Sequence, residues 1–232
     1  MEKLKRSIIN FLNEKPPAAT LFEELIKSGN VVLIGGVLRE YIDNGCINSL
    51  RDIDIVIEIR NYKIWNGIIN KYKPCKNKFS GYKFVCSGFI FDVWLIEETW
   101  AFKNNIIKYN ETETPISKLQ DTVFLNMDAI VFDFTTGTWY KERYDEAIKY
   151  GTIDVVLEEN PQIPLNIVRL FVIKNRYNMN VSETLKKIIR DTIKKYADLD
   201  SFIDELINIQ ENRYHTVHLS RELLRTEIKN II

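Results

Sequence analysis

The stretch from Val31 to Glu58 constrains this chain more than any other. Val31-Val32-Leu33-Ile34 is an unbroken apolar run, Gly35-Gly36 interrupts it, and a short helix from Val37 to Asn44 ends at Gly45. Arg51-Asp52-Ile53-Asp54-Ile55-Val56 follows and alternates through to Ile59. A continuous apolar run reads as a strand buried on both faces, and strict alternation reads as a second strand. The order strand, glycine turn, helix, strand points to an α+β domain with at least one covered sheet.

On a strand, residues two apart share a face. Asp52 and Asp54 therefore stand side by side in an otherwise Ile/Val strand. Adjacent carboxylates repel one another and are costly to bury. A divalent cation relieves both problems, and Mg²⁺ is typically held by one or two carboxylates together with substrate phosphates. The Gly35-Gly36 turn before a helix supplies close backbone approach and N–H groups suited to phosphate. Asp92, among Phe91, Val93 and Trp94 in a later predicted strand, adds a third carboxylate. Three strand carboxylates, two metal ions and a glycine turn meet the needs of in-line nucleotidyl transfer.

The remaining pattern divides the chain. Helices are expected over residues 3–13, stopped by Pro16-Pro17, and 18–28, capped by Gly29. A helix near 62–71 and strands near 82–86 and 89–96, split by Ser87-Gly88, continue the head. An apolar pair of strands is expected over 123–134, with a turn at Gly137. Beyond residue 158 the apolar spacing is helical over 164–177, 182–197, 199–211 and 217–230, with no further strand expected. The expected fold class is thus α+β: a mixed sheet flanked by helices over residues 1–150, then an all-helical region over 151–232.

Gly35-Gly36-Val37-Leu38-Arg39-Glu40 followed by Arg51-Asp52-Ile53-Asp54-Ile55 resembles the head of the polymerase-beta-type nucleotidyltransferases. It is most similar to bacterial CCA-adding enzymes and poly(A) polymerases, with their Gly-Gly-x-Val-Arg-Asp and Asp-x-Asp blocks. Phe124-Leu125-Asn126-Met127-Asp128-Ala129-Ile130 is similar to that family's Thr-Ile-Asn-Ala-Met segment, with Asp133 and Thr136-Gly137 following as they do there. Pro164-Leu165-Asn166-Ile167-Val168-Arg169 is similar to its neck helix. The resemblance implies that Asp52 and Asp54 hold both Mg²⁺ ions, with Mn²⁺ as a substitute. It implies that Asp92 completes the site on the acceptor side and that Gly35, Gly36 and Arg39 meet the triphosphate. Asn126 and Arg169 would line the nucleotide pocket; Asp128 belongs either to the site or to a strand edge.

The expected activity is transfer of a nucleoside monophosphate from an NTP or dNTP to an acceptor hydroxyl. The acceptor suggested by the resemblance is an RNA or DNA 3′ end or a growing oligonucleotide, in the manner of small relatives in bacterial defence and signalling. Nucleotidylation of a small molecule or protein side chain is the alternative, and a non-catalytic binding module is the third reading. The chain departs from the family at Glu40, at Leu119-Gln120-Asp121 where an Arg-Arg-Asp stands, and around Val172 and Lys174, where a second neck arginine is missing. With only some fifty residues after the neck, a tRNA-gripping body is not expected, nor is CCA addition itself.

Composition excludes several other classes. Lys+Arg and Asp+Glu both number 32, so bulk charge does not drive nucleic-acid binding. Cys46, Cys75 and Cys86 lack metal or disulfide spacing and read as reduced thiols, which with no signal-peptide or membrane-helix run suggests a cytoplasmic protein. His215 and His218 lack a third ligand. Lys186, Lys187, Arg190, Lys194 and Lys195 read first as a solvated helix face and second as a phosphate-tracking stripe. Trp65, Trp94, Trp100 and Trp139 read as core before base-stacking platforms, and Tyr214 is a remote candidate acceptor.

Overall fold

Local chemistry sets most element boundaries in the computed structural model, which describes residues 2–77, 79–110, 113–214 and 217–231. His215 lies outside the described residues. Two compact units divide the chain: Met1–Thr122 with Asp128–Glu142, and Val123–Met127 with Arg143–Ile232.

In the first unit, helices α1 (Glu2–Asn13) and α2 (Pro16–Ser28) lead into strand β1 (Gly29–Ile34). Pro16 opens α2 rather than only ending α1, because proline's fixed φ and missing N–H suit a first helical turn. Gly29 caps α2 as expected, its N–H donating to the Leu25 carbonyl. Its φ of −179° is extended, and a Cβ there would sit 2.2 Å from the Glu58 carbonyl oxygen. What requires glycine here, beyond the cap, is the close approach of the neighbouring strand. Gly45, by contrast, ends α3 (Gly36–Asn44) at φ 71°, and its N–H donates to the Tyr41 carbonyl.

Strand β2 (Asp52–Ile59), helix α4 (Tyr62–Tyr72), β3 (Cys75–Lys76), β4 (Tyr82–Cys86) and β5 (Phe89–Leu95) follow. The β4–β5 hairpin turns through Ser87 and Gly88, both at positive φ (50° and 82°), the geometry that matches strand twist. Short helices α5 (Trp100–Lys103) and α6 (Pro115–Lys118) precede β6 (Val131–Asp133) and β7 (Trp139–Tyr140). The seven strands form one mixed sheet in the order β3-β4-β5-β2-β1-β6-β7, with only β2 and β5 parallel.

One face of this sheet is a dry aromatic layer. Ile53, Ile55, Phe84, Phe91 and Val93 are fully buried. Phe22 of α2 stacks on Phe91, and Trp65 of α4 meets Phe84 edge-on. Trp65 is thereby a core residue, while Trp139, half-buried on β7, packs its ring centroid 4.9 Å from that of Phe132. On the other face, Val32, Val56 and Val131 pack with Ile96, Ile116 and Leu119.

The expected strand pair over 123–134 does not form. Only Val131–Asp133 is a strand of the sheet, while Leu125 makes an antiparallel bridge to Val155 inside the second unit. That unit contains most of α7 (Glu142–Tyr150), then β8 (Thr152–Ile153), α8 (Ile163–Tyr177), β9 (Asn180–Val181), α9 (Glu183–Ile193), α10 (Leu199–Tyr214) and α11 (Arg221–Lys229). The expectation of no strand beyond 158 is corrected by β9, a two-residue strand parallel to β8. The helices pack through Phe171, Ile189, Phe202, Leu206, Leu224 and Ile228, all fully buried. Glu227, almost fully buried, accepts from Lys174 at 2.6 Å. Gln210, also buried, both donates to and accepts from the Leu219 backbone.

Candidate active site

Alternation along β2 puts Asp52 and Asp54 on the face opposite the aromatic layer, as their intermediate exposure beside buried Ile53 and Ile55 confirms. Because β5 runs parallel to β2, Asp54 and Asp92 are direct register partners. One transverse row of the sheet therefore reads Lys83, Asp92, Asp54, Ile34, Val131. The side chains of Asp52 and Asp92 are 26% and 17% exposed, enough for a ligand to reach them.

The glycine turn lies at the same end of the sheet. Gly35 has φ +68°, a conformation L side chains rarely adopt, and a Cβ built on it would lie 3.8 Å from Asp54 Oδ2. A Cβ on Gly36 would meet no atom within 4 Å, so that side of the turn is clear. Leu38 and Arg39 donate their N–H groups to the Gly35 carbonyl. The N–H groups of Gly36 and Val37 precede the first intrahelical bond, where helix ends receive anions.

Two braces hold this turn. Gly35 N–H donates to the Ile130 carbonyl at 3.3 Å. Arg39 forms an ion pair with Asp128, with side chains only 15% and 8% exposed. Arg39 is thus no solvated surface cation. The sequence had singled out both residues without joining them, since 89 positions separate them.

Two cations attend the carboxylates. Arg51 donates through Nε (2.9 Å) and Nη2 (2.7 Å) to Asp52 Oδ2. Lys83 places its ammonium 4.0 Å from Asp92 Oδ1. Lys83 was missed in the sequence, although alternation along 82–86 and 89–96 puts it on the same side of its hairpin as Asp92. Among the described residues, no group of three carboxylate, imidazole or thiol side chains could by itself hold a metal ion. Mg²⁺ asks less of a protein than that: one or two carboxylates, with phosphate and water oxygens completing its shell. Asp54 and Asp92, opposed in register with Asp52 beside them, fit that requirement in donor type and placement.

The other expected site residues lie in the second unit. Asn126 donates through Nδ2 to the Thr152 carbonyl at 3.1 Å, and its Oδ1 is buried with no hydrogen bond among the described residues. Arg169 is half-buried on α8. Asp133 serves structure, its Oδ1 accepting from the N–H groups of Thr135 and Thr136 in the turn before Gly137. In the basic stripe, Lys186 pairs with Glu183 and Lys194 with Asp191, as a solvated face does. These pairs hold the Glu183 and Asp191 carboxyls below their ordinary range, chiefly through the lysine hydrogen bonds. Among the described residues no helix is long and apolar enough to cross a membrane.

No family model matches the sequence, and no curated protein does. Solved structures do. A CCA-adding enzyme in complex with ATP superposes with TM-score 0.60 at 17% identity, over 96% of this chain and 54% of that one. A Thermotoga maritima CCA-adding enzyme complexed with tRNA gives 0.56 at 18% identity, over 87% and 46%. A structure described as a tRNA-processing enzyme in its apo form gives 0.55 at 15% identity, over 87% and 52%. The chain spans about half the length of these structures. The likeness is one of fold: this chain has the nucleotidyltransferase-like fold of CCA-adding enzymes.

Proposed function

We propose that this chain is a divalent-cation-dependent nucleotidyltransferase that moves a nucleoside monophosphate from an NTP or dNTP to an acceptor hydroxyl at a nucleic-acid 3′ end or on a growing oligonucleotide. The observation that carries this reading is the in-register pairing of Asp54 with Asp92, with Asp52 on the same face and the Gly35 turn against Asp54. The nucleic-acid acceptor is favoured by the solved structures of this fold, one of which is complexed with tRNA and another with ATP.

In this reading the Gly36 and Val37 N–H groups receive the triphosphate at the start of α3, and the Arg39–Asp128 pair fixes the direction in which the turn presents them. Asp52, Asp54 and Asp92 would hold Mg²⁺, or Mn²⁺ in its place. When bound, the ions neutralise charge on the α-phosphate and on the departing pyrophosphate. Asp92, on the far side of Asp54 from the glycine turn, faces the incoming hydroxyl and orients it for in-line attack. The new bond joins the acceptor oxygen to the α-phosphorus, the α–β bridging bond breaks, and the hydroxyl proton passes to solvent. The protein's own contribution is positioning and charge placement. For Asn126 and Arg169, both in the second unit, a nucleotide-binding role rests on the sequence resemblance alone.

The test is incubation of purified protein with each labelled NTP and dNTP, with Mg²⁺ or Mn²⁺, with and without RNA and DNA oligonucleotides. A ladder or a single addition on the oligonucleotide is expected. Label on the protein or on a small molecule instead would move the acceptor to the other class. Incorporation that survives in the Asp52→Ala/Asp54→Ala double variant would overturn the assignment.

A further inference from the structure

Three carboxylates crowd one face of the sheet, and in the protein alone two basic side chains already stand against them. Arg51, the residue immediately before β2, grips Asp52 Oδ2 through two nitrogens. Lys83 reaches Asp92 from the neighbouring strand, in the same transverse row as Asp54. Neither cation is buried: their side chains are 61% and 46% exposed, so both have room to swing into solvent. The carboxylates they face are more buried, at 26% and 17%. This asymmetry is that of a movable counter-charge on a fixed anion. The backbone registers the acids, while long flexible stems carry the bases.

We infer that Arg51 and Lys83 are positioning residues that act as resident counter-ions: they neutralise Asp52 and Asp92 in the metal-free protein and are displaced when divalent cations enter. The inference rests on the nucleotidyltransferase reading above, because it takes these carboxylates to be the ion-binding groups. Its physical basis is competition. Asp52 Oδ2 cannot serve Arg51 and a divalent ion fully at once, and an ammonium 4.0 Å from Asp92 Oδ1 repels an incoming cation. The same two residues also account for how like charges coexist on one strand face before any ion arrives. Binding of a divalent ion is thereby an exchange of one cation for another. The carboxylates need not be rebuilt, and the ion's net affinity is set lower than three bare acids would give.

Mn²⁺ binding measured by electron paramagnetic resonance, without nucleotide, tests this directly on the wild type, Lys83→Met, Lys83→Arg and Arg51→Met, alongside thermal midpoints with EDTA or with saturating Mg²⁺. Removing a competing charge at this distance is expected to tighten Mn²⁺ binding by roughly five- to tenfold in Lys83→Met, with Lys83→Arg near wild type. Lys83→Met should lower the midpoint in EDTA and recover it in Mg²⁺, whereas a purely structural lysine would lower it in both. Unchanged or weaker Mn²⁺ binding in Lys83→Met and Arg51→Met would overturn the counter-ion role while leaving the proposed function standing. A wild type that binds no Mn²⁺, or whose Mn²⁺ binding is indifferent to Asp54→Asn, would overturn the functional reading itself.

Discussion

The two faces of the seven-stranded sheet are made by the same strands and both bury apolar side chains, but only one of them carries acids. On one, Ile53, Ile55, Phe84, Phe91 and Val93 are fully buried, with Phe22 of α2 and Trp65 of α4 packed on Phe91 and Phe84. On the other, one residue along, stand Asp52, Asp54 and Asp92. Apolar packing, most of it aromatic on the first face and aliphatic beside the acids on the second, holds the strands in register, and the register sets the acids opposite one another. Stability and chemistry are thus interleaved at single-residue spacing, and substitutions on alternate residues should separate them.

The largest expected effects come from the two faces themselves. Asp54→Asn should cost transfer activity on the order of 10³-fold. Its thermal midpoint should stay level or rise, since one of three like charges is removed. Phe91→Ala should do the opposite: a loss of about 3–5 kcal/mol in denaturant unfolding, with activity per folded molecule retained. If Asp54→Asn unfolds the protein as readily as Phe91→Ala, the division of labour between the faces fails.

Smaller effects sharpen the comparison at its edges. Asp128→Ala removes the ion pair with Arg39 from a largely enclosed position. A loss of about 1–3 kcal/mol is expected, together with a raised KM for NTP, because the same pair steadies the glycine turn. Gly29→Ala drives a methyl group into the Glu58 carbonyl at the opposite end of β1. It should cost about 1–3 kcal/mol by urea denaturation without changing KM. Least of all, Lys186→Met on exposed α9 should leave the midpoint unmoved. The Glu183 carboxyl, held low by that lysine, should titrate higher by NMR in the variant. The sign follows from linkage: a depressed carboxyl adds stability above its unfolded pKa and loses it as pH falls through the folded value.

Much of the acidic face was legible in the sequence, because alternation is a property of the backbone. The i, i+2 spacing of Asp52 and Asp54 needs no tertiary information, and neither does the Ser87-Gly88 turn that returns the chain as β5. What the sequence withheld was partnership. Residues 123–134 are largely apolar, interrupted by Asn126, Asp128 and Asp133, and nothing in their composition reveals that Leu125 pairs with Val155 while Val131–Asp133 pairs with β1. An apolar segment reads the same whichever sheet receives it. Helix α7 was not anticipated, because its sequence, Glu-Arg-Tyr-Asp-Glu-Ala-Ile-Lys-Tyr, carries only a thin apolar stripe. The cap at Gly29 is legible in the sequence, but its second duty is not, because the carbonyl that excludes a side chain there, Glu58, is remote in the chain. Arg39 with Asp128, and Lys83 with Asp92, likewise depend on which strands become neighbours.

The parallel pairing of β2 with β5 carries a consequence in time. Antiparallel neighbours can zip from a tight turn, but parallel ones must wait for a long crossover, here α4 and the β3 and β4 strands, to be made and closed. On a ribosome, Asp52 and Asp54 emerge well before Asp92, and the triad does not exist until the chain through Leu95 is free to dock. In refolding, recovery of the metal binding proposed above should lag behind helix formation, since non-local strand pairing is the slow step in sheets of this kind.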